Sequence, residues 1–315
     1  MELAIKDVIF LLAAVLLAAL GGNAFLKFIL GAAGHLRLPK AVVATTLAAF
    51  ATSSPELTVS TVAAISGNPE IGLGDALGSN IVNIALIFGV ALLFGAVQTS
   101  RAEFRRDFLL ALLVPVATML LIADGELASW EAWGLLLGFA LWLLALWREA
   151  KRYRETLSGN VATQQNLPGP WRSAFLGVLG LAALIAAGRL FVIGATGIAS
   201  AFAVNTYVIA AVLIAIGTSL PELVTVVLSR IRGHDDVGVG TLIGSNLFNG
   251  LAIVGVAGVI HPISAPATVV ALTLACGFVA LLLILPGRDG LIRPWRALPL
   301  IALYAAFIWA LFYMQ

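Results

Sequence analysis

The sequence is poor in charge and in cysteine, and each shortage excludes a class of protein. Only 11% of its 315 residues are charged, whereas a soluble globular chain carries about 25%. So few charges cannot cover a surface that faces water. The formal net charge of +2 gives no basis for nucleic-acid binding. The single cysteine, Cys276, excludes an internal disulfide and a zinc site built from thiolates.

Apolar residues make up most of the chain and set the fold class. They account for 61% of the chain, and the mean hydropathy is +1.05. Apolar runs recur at about the 20-residue length that crosses a lipid bilayer. We therefore predict an all-α integral membrane protein with ten transmembrane helices. Their predicted ranges are 5–31, 38–66, 70–96, 104–122, 126–148, 172–200, 204–230, 236–260, 266–286 and 292–313.

One long polar stretch divides the chain. We predict a first five-helix repeat over 1–148, a cytoplasmic linker over 149–171 and a second five-helix repeat over 172–315. With the linker in the cytoplasm, the lysines and arginines of alternate loops fall on the same side, as the positive-inside rule requires. Lys6 and Arg189 stand outside this pattern. Both termini are then predicted to lie outside. The basic loop residues are Arg37, Lys40, Arg101, Arg105, Arg106, Arg230, Arg232, Arg288, Arg293 and Arg296.

An internal repeat relates the two halves. Residues 51–83 align with residues 217–249 at a constant offset of 166, without a gap and with 13 of 33 positions identical. Because five predicted helices separate equivalent positions, the two copies should cross the membrane in opposite directions. Inverted repeats of this kind are common in secondary transporters, which bind their substrates at the interface between the repeats.

Each copy places one carboxylate in the middle of an apolar helix, at Glu56 and Glu222. An acidic residue at bilayer depth costs roughly 2.5–3.5 kcal/mol on insertion scales. No lysine or arginine lies at a corresponding depth in the four predicted helices that carry the repeat. A transported cation would supply the missing charge. The alternative is a protonated glutamate that is hydrogen-bonded within a helix interface.

A proline precedes each glutamate and should break its helix. Pro55 and Pro221 lack an N–H, so the carbonyls of Ala51 and Gly217 are expected to lose their helical partners. In lipid, such oxygens need another partner, and a bound cation can serve. A proline kink that only serves packing is the alternative, but it leaves the adjacent glutamate unexplained. The same turns carry the hydroxyls of Thr52, Ser53, Thr218 and Ser219.

Neutral oxygen donors follow on the next helix of each copy. Ser79 and Asn83 are four residues apart and share a helix face, as do Ser245 and Asn249. Calcium takes six to eight hard oxygen ligands, and carboxylates, hydroxyls, amides and carbonyls can provide them. Soft metals prefer cysteine or histidine, which these motifs lack.

These motifs resemble those of the calcium/cation antiporters and, within them, the sodium/calcium exchangers. That family carries G-T-S-x-P-E and G-S-N-x-x-N in each repeat. This chain has A-T-S-S-P-E at 51–56, G-S-N-I-V-N at 78–83, G-T-S-L-P-E at 217–222 and G-S-N-L-F-N at 244–249. The resemblance implies an antiporter without a cofactor, which exchanges sodium for calcium by alternating access in a prokaryotic inner membrane.

The resemblance also implies a set of ion ligands. The glutamates would bridge calcium and sodium, the threonines would serve calcium, and the serines and two alanine carbonyls would serve sodium. An asparagine at position 249, where potassium-dependent members carry aspartate, implies electrogenic exchange that needs no potassium. The implied ligands are Ala49, Thr52, Ser53, Glu56, Ser79, Asn83, Ala215, Thr218, Ser219, Glu222, Ser245 and Asn249.

Three other functions stay open. Gly72-Leu73-Gly74-Asp75 matches the G-x-G-D motif of intramembrane aspartyl proteases, but that chemistry needs a second aspartate, and none lies deep in a predicted helix. We therefore expect no enzyme. A channel is a second alternative, and an exchanger of calcium or another divalent ion for protons or another monovalent ion is the third. Asp75 itself would be either an ion or proton acceptor or a polar group at an interface.

Overall fold

The computed structural model describes residues 5–99, 101–157, 169–201 and 215–314, and these residues are mostly helical. In the first half, the helices α1 to α8 are Ile5–Leu36, Lys40–Val43, Ala49–Thr52, Ser54–Ile65, Pro69–Ile81, Gly89–Leu93, Arg101–Leu121 and Ser129–Leu157. In the second half, α9 to α15 are Pro170–Ala201, Ala215–Thr218, Leu220–Ile231, Asp235–Leu247, Val254–Ile260, Ala267–Leu283 and Ala297–Tyr313. Short π-helical segments at Ala44–Ala48, Val82–Phe88 and Phe248–Ile253 join consecutive helices, and a 3₁₀ turn at Pro294–Arg296 precedes α15.

The elements recur along the chain with the offset seen in the sequence. Helix α4 matches α11, and α5 matches α12, each with both ends displaced by 166 residues. The π-helical segments that follow α5 and α12 begin at Val82 and Phe248, again 166 residues apart. The repeat in sequence is therefore also a repeat of local structure.

Six helices in the described part of the chain are long and apolar enough to cross a membrane. They expose large apolar side chains, as lipid contact requires; Leu298, for example, is 72% exposed and Leu12 is 67% exposed. Helix α7 falls outside this group because its first residues, 101–107, carry five charges. The helices with the glutamates fall outside it because they are interrupted at Ser53 and Ser219. The six candidate spans are Leu12–Leu36, Pro69–Leu93, Ser129–Tyr153, Pro170–Leu190, Asp235–Ile260 and Pro294–Tyr313.

Two predicted helix ends were wrong. Helix α1 continues to Leu36 rather than ending at residue 31, and α8 continues to Leu157 rather than ending at 148. Residues 149–157, assigned to the linker, are rich in Glu, Lys and Arg, which are good helix formers and extend the helix into water. The predicted linker from 158 to 168 lies outside the described residues.

The two halves pack with the site helices at the centre. The spans that contain α5 and α12 are 78% and 83% buried, against 22–41% for the other four candidate spans. Helices α1 and α9 pack against each other at their glycines: a Cβ added at Gly21 would lie 2.8 Å from the Gly180 carbonyl oxygen. The side chains of Phe25, Leu26 and Leu184 fill the space beside this contact.

Two short antiparallel strand pairs join the halves. Strand β1 (Val97–Gln98) pairs with β4 (Leu291–Ile292), and β2 (Glu126–Leu127) pairs with β3 (Ile263–Ser264). Each pair takes one strand from each half. Because β3 lies 166 residues after β1, equivalent strands belong to different pairs.

Candidate ion-binding site

A matched turn interrupts the helix in front of each glutamate. Ser53 has φ −84° and ψ 9°, and Ser219 has φ −83° and ψ 9°. Pro55 and Pro221 lie in the first turn of the helix that follows, where a missing N–H costs nothing. The backbone N–H groups of Ser53 and Ser219 donate to the carbonyls of Ala49 and Ala215 at 2.9 and 3.1 Å. The hydroxyls of Thr52 and Thr218 donate to the same two carbonyls at 3.4 and 3.2 Å, so each oxygen accepts two hydrogen bonds at the turn.

The freed carbonyls differ between the copies. The hydroxyl of Ser54 donates to the Ala51 oxygen at 2.7 Å, so a side chain replaces the helical partner that Pro55 cannot supply. The sequence contained the reason, because a serine immediately before the proline can reach back to its own helix. Leu220 stands at the equivalent position in the second copy and has no hydroxyl. There, helix α9 packs tightly on the turn, and a Cβ at Gly188 would lie 2.4 Å from the Gly217 oxygen.

Each of the two carboxylates accepts a hydrogen bond from the other copy of the repeat. Glu56 and Glu222 are both fully buried. The Ser53 hydroxyl donates to Oε1 of Glu222, and the Ser219 hydroxyl donates to Oε1 of Glu56, both at 3.1 Å. The serine of each copy therefore contacts the glutamate of the other copy. Oε2 of each glutamate is buried and has no hydrogen-bond partner.

The remaining hydroxyls are arranged differently in the two copies. Ser245 donates to Oε1 of Glu222 at 3.1 Å, whereas the equivalent Ser79 hydroxyl is buried without a partner. Thr52 donates along its own helix to the Ala48 carbonyl at 3.0 Å. Thr218 contacts Oδ1 of Asp75 at 3.4 Å, as well as the Ala215 carbonyl at 3.2 Å.

Four asparagines meet where α5 and α12 join their π-helical segments. Asn80 and Asn246 exchange bonds, each amide donating to the other's backbone carbonyl at 3.2 Å. Asn83 donates to Oδ1 of Asn246 at 3.1 Å, which leaves Oδ1 of Asn83 buried and unpartnered. Both side-chain atoms of Asn249 are buried without a partner. Three of the amides therefore connect the halves, and Oδ1 of Asn80, Asn83 and Asn249 is left without a partner.

The donor set suits a hard cation held mainly by neutral oxygens. In the described ranges, no group of three or more His, Cys, Asp or Glu side chains is placed to hold a metal ion. Three carboxylates therefore do not converge on one ion, and hydroxyl, amide and backbone oxygens must supply the other ligands. Buried oxygens without partners, on Glu56, Glu222, Ser79 and Asn83, are costly unless something binds to them.

A cleft leads to this cluster from one side. It has a volume of about 380 Å³ and is lined by α4, α9 and the turn before Glu222, including Thr58, Arg189 and Thr218. Because Thr218 also contacts Asp75, the cleft ends beside the carboxylates. The cleft therefore borders the cluster of buried oxygens.

Comparison with known proteins assigns the family. The sequence model of the family described as "Sodium/calcium exchanger protein" matches residues 6–148 and 172–313, which are most of the chain. The chain belongs to the sodium/calcium exchanger family. Members of this family are membrane transporters, so the site of this chain is interpreted below in terms of cation antiport.

Relatives of this exchanger cover most of its length. CaxA of Alkalimonas amylolytica, named as a candidate antiporter, is 37% identical over 75% of this chain and 76% of its own. The sodium/calcium exchanger MaX1 of Methanosarcina acetivorans is 29% identical over 93% of this chain and 95% of its own. A solved structure of the sodium-calcium exchanger NCX_Mj superposes with a TM-score of 0.82 at 26% identity, covering 98% of this chain and 99% of the other.

The protease alternative finds no support in the exchanger's buried aspartates. Asp107 is buried, although the sequence did not suggest it. Its carboxylate accepts from Trp142 Nε1 at 2.9 Å and from Arg106 Nε at 2.9 Å. It therefore has its own charge partner and makes no contact with Asp75 that would form a dyad.

Three residues at the site were absent from the predicted ligand set, although Asp75 was one that the sequence left open as an ion or proton acceptor. Asp75 lies against Thr218, and Asn80 and Asn246 connect the halves. The signal for the asparagines was present, because both belong to the repeated G-S-N motif. Asp75 has no acidic counterpart in the second copy, where Thr241 stands, so the repeat could not identify it.

Proposed function

We propose that this protein is a secondary active antiporter that exchanges sodium for calcium by alternating access. The crossed bonds from Ser53 to Glu222 and from Ser219 to Glu56 are the observation that carries the proposal. They make one site from both repeats, so a cation bound between the glutamates would hold the halves together. Movement of one half relative to the other can then change which side of the membrane reaches that cation.

We further propose the ligands of the transported ions. The two glutamates bridge calcium and sodium, and the neutral oxygens complete the coordination of each ion. Support comes from the buried side-chain oxygens without partners, which include Oε2 of both glutamates. The proposed ligands are Ala49, Thr52, Ser53, Glu56, Ser79, Asn83, Ala215, Thr218, Ser219, Glu222, Ser245 and Asn249.

The charge of the centre suggests the stoichiometry. Glu56 and Glu222 together carry −2 when ionised, which balances one calcium or two sodium ions. A third sodium would then move as net charge in each cycle. Asn249 supplies a neutral amide where a further carboxylate would favour an additional cation. We therefore propose electrogenic exchange that needs no potassium.

The proposed architecture is ten transmembrane helices in two inverted five-helix repeats, 1–148 and 172–315, with a cytoplasmic linker and both termini outside, in a prokaryotic inner membrane. The strand pairs support it. The β1–β4 pair lies beside loops rich in arginine, whereas the β2–β3 pair lies beside acidic loop residues such as Asp124. Equivalent strands thus sit at ends of opposite charge character, as inverted copies would.

Transport in proteoliposomes tests the function. We expect calcium-45 uptake when an outward sodium gradient is imposed in potassium-free medium, and faster uptake when the membrane potential draws positive charge in the direction of sodium movement. A parallel preparation with a proton gradient tests the calcium/proton alternative. An absolute need for potassium, or a rate indifferent to potential, would contradict the charge assignment.

Labelling of introduced cysteines tests the topology. Ala123 and Asp289 are both exposed and lie 166 residues apart. In a Cys276→Ser background, Ala123→Cys and Asp289→Cys should react with a membrane-impermeant maleimide from opposite sides. Labelling from the same side would exclude inverted repeats.

A further inference from the structure

A third buried carboxylate lies beside the two glutamates, and the proposed exchange does not use it. Asp75 in α5 is only 6% exposed. Its Oδ1 lies 3.4 Å from the Thr218 hydroxyl, and its Oδ2 is buried without a partner. The equivalent residue in the second copy is Thr241, so this negative charge has no counterpart there.

Asp75 continues a row of proposed ligands. Asp75, Ser79 and Asn83 follow one another at intervals of four residues, which places them on one face of the helix. One such interval is about 6 Å along the axis, so Asp75 adds one further position beyond Ser79. The Ser79 hydroxyl, like Oδ2 of Asp75, is buried and free of hydrogen bonds. Two unpartnered oxygens therefore lie on neighbouring turns.

The negative charge of Asp75 lies beside two further acidic side chains and has no salt-bridge partner among the described residues. Asp75 and Glu222 are the charged groups that repel Glu56, and none of the salt bridges among the described residues includes these three acids. Three ionised carboxylates would carry −3, of which one calcium ion balances two charges. The carboxylates are not grouped around a single point, so one ion cannot contact all of them. A buried charge without a partner is strongly unfavourable.

We propose that Asp75, together with the hydroxyls of Thr218 and Ser79, binds a sodium ion that stays in place when calcium occupies the site. This inference rests on the proposed function, since it assumes that calcium binds at Glu56 and Glu222. Carboxylate and hydroxyl oxygens are hard ligands suited to such an ion. Because the additional sodium accompanies both the calcium-loaded and the sodium-loaded forms, it is carried in both directions and leaves the net charge per cycle unchanged.

Equilibrium binding to the purified full-length protein tests the site. The protein is saturated with unlabelled calcium and dialysed against sodium-22, with rubidium-86 in a parallel arm as a tracer for potassium. We expect about one sodium retained per chain by the wild type and none by Asp75→Asn, with equal calcium-45 binding by both. The matched variant Thr241→Asn changes the equivalent residue of the second copy and should leave both measurements as in the wild type.

The possible results separate this site from the proposed exchange. Retention of rubidium in place of sodium overturns the assignment of the site to sodium. A wild-type protein that binds calcium but retains neither tracer overturns the inference, whatever the stability of the variant. Equal sodium retention by the wild type and Asp75→Asn also overturns it. Loss of calcium binding by the wild type would instead contradict the proposed function.

Discussion

The two halves of the molecule agree at the carboxylates and differ around them. Both have the same turn at Ser53 or Ser219 and the same serine-to-glutamate bond across the interface. The neighbouring positions do not match: Ser245 bonds to Glu222 whereas Ser79 has no partner, and Asp75 faces Thr218 where the other copy has Thr241. The repeat therefore determines where the two glutamates are placed, while substitutions at neighbouring positions make the individual ion positions unequal.

The largest loss of transport should follow from substitution of the two glutamates, which both halves share. We expect Glu56→Gln and Glu222→Gln each to lower sodium-driven calcium-45 uptake by roughly a hundredfold or more. At an effective dielectric constant of about 20, two unit charges about 4 Å apart interact by roughly 4 kcal/mol, and the amide removes that attraction. Unchanged elution on size exclusion would show that each variant folds. Near-normal uptake by either variant would mean that the carboxylates are not equivalent.

The crossed bonds should give a smaller effect that is equal in the two halves. A hydrogen bond to a charged group contributes about 1.5–3 kcal/mol, so Ser53→Ala and Ser219→Ala should each raise the half-saturating calcium concentration about tenfold or more. Because both bonds are 3.1 Å long between fully buried groups, the two values should agree within about a factor of three. A large difference between them would show that the transported ion uses one serine more than the other.

Substitution of equivalent asparagines should affect calcium binding differently in the two halves. Asn246→Ala and Asn80→Ala each remove an amide that donates to the opposite backbone, but Asn246 also accepts from Asn83. A neutral hydrogen bond contributes about 0.5–1.5 kcal/mol. We therefore expect Asn246→Ala to weaken calcium binding about two- to tenfold more than Asn80→Ala. Equal losses would indicate that orientation of Asn83 does not matter.

The smallest effect should be on stability alone. Ser54 supplies the partner for the Ala51 carbonyl that Pro55 cannot provide. Ser54→Ala should lower the free energy of unfolding by about 1 kcal/mol and change the transport rate little. Thermal unfolding measured beside calcium uptake checks both. An unchanged unfolding temperature would show that the helix break needs no such bond, as in the second half, where Leu220 has no hydroxyl.

The sequence predicted the membrane class and the repeat because both depend on periodic, local features. Apolar runs and a constant offset can be recognised without three-dimensional contacts. Helix ends were less predictable: α8 continues nine residues beyond its predicted end, because charged residues that mark a membrane boundary can also continue a helix. The strand pairs were not predicted, since each has only two residues per strand and joins distant parts of the chain.

For the site, the sequence identified residue types but not their partners. The motifs indicated Glu56 and Glu222, yet nothing local shows that each accepts a bond from the serine of the other copy. The exchange between Asn80 and Asn246 likewise depends on how α5 and α12 meet. Asp75 was noticed but could not be placed, because its importance lies in its contact with Thr218 in the other half.

The strand pairs have a consequence for biosynthesis. Strand β1 ends at Gln98, but its partner β4 begins only at Leu291. At about 5–20 residues per second, a ribosome needs roughly 10–40 s to synthesise the intervening chain. Glu56 likewise precedes its hydrogen-bond donor Ser219 by 163 residues, so for the first part of that interval the donor has not yet been synthesised. The nascent first half must therefore wait in the bilayer with an unsatisfied acid, and it depends on the insertion machinery or on protonation until the second half arrives.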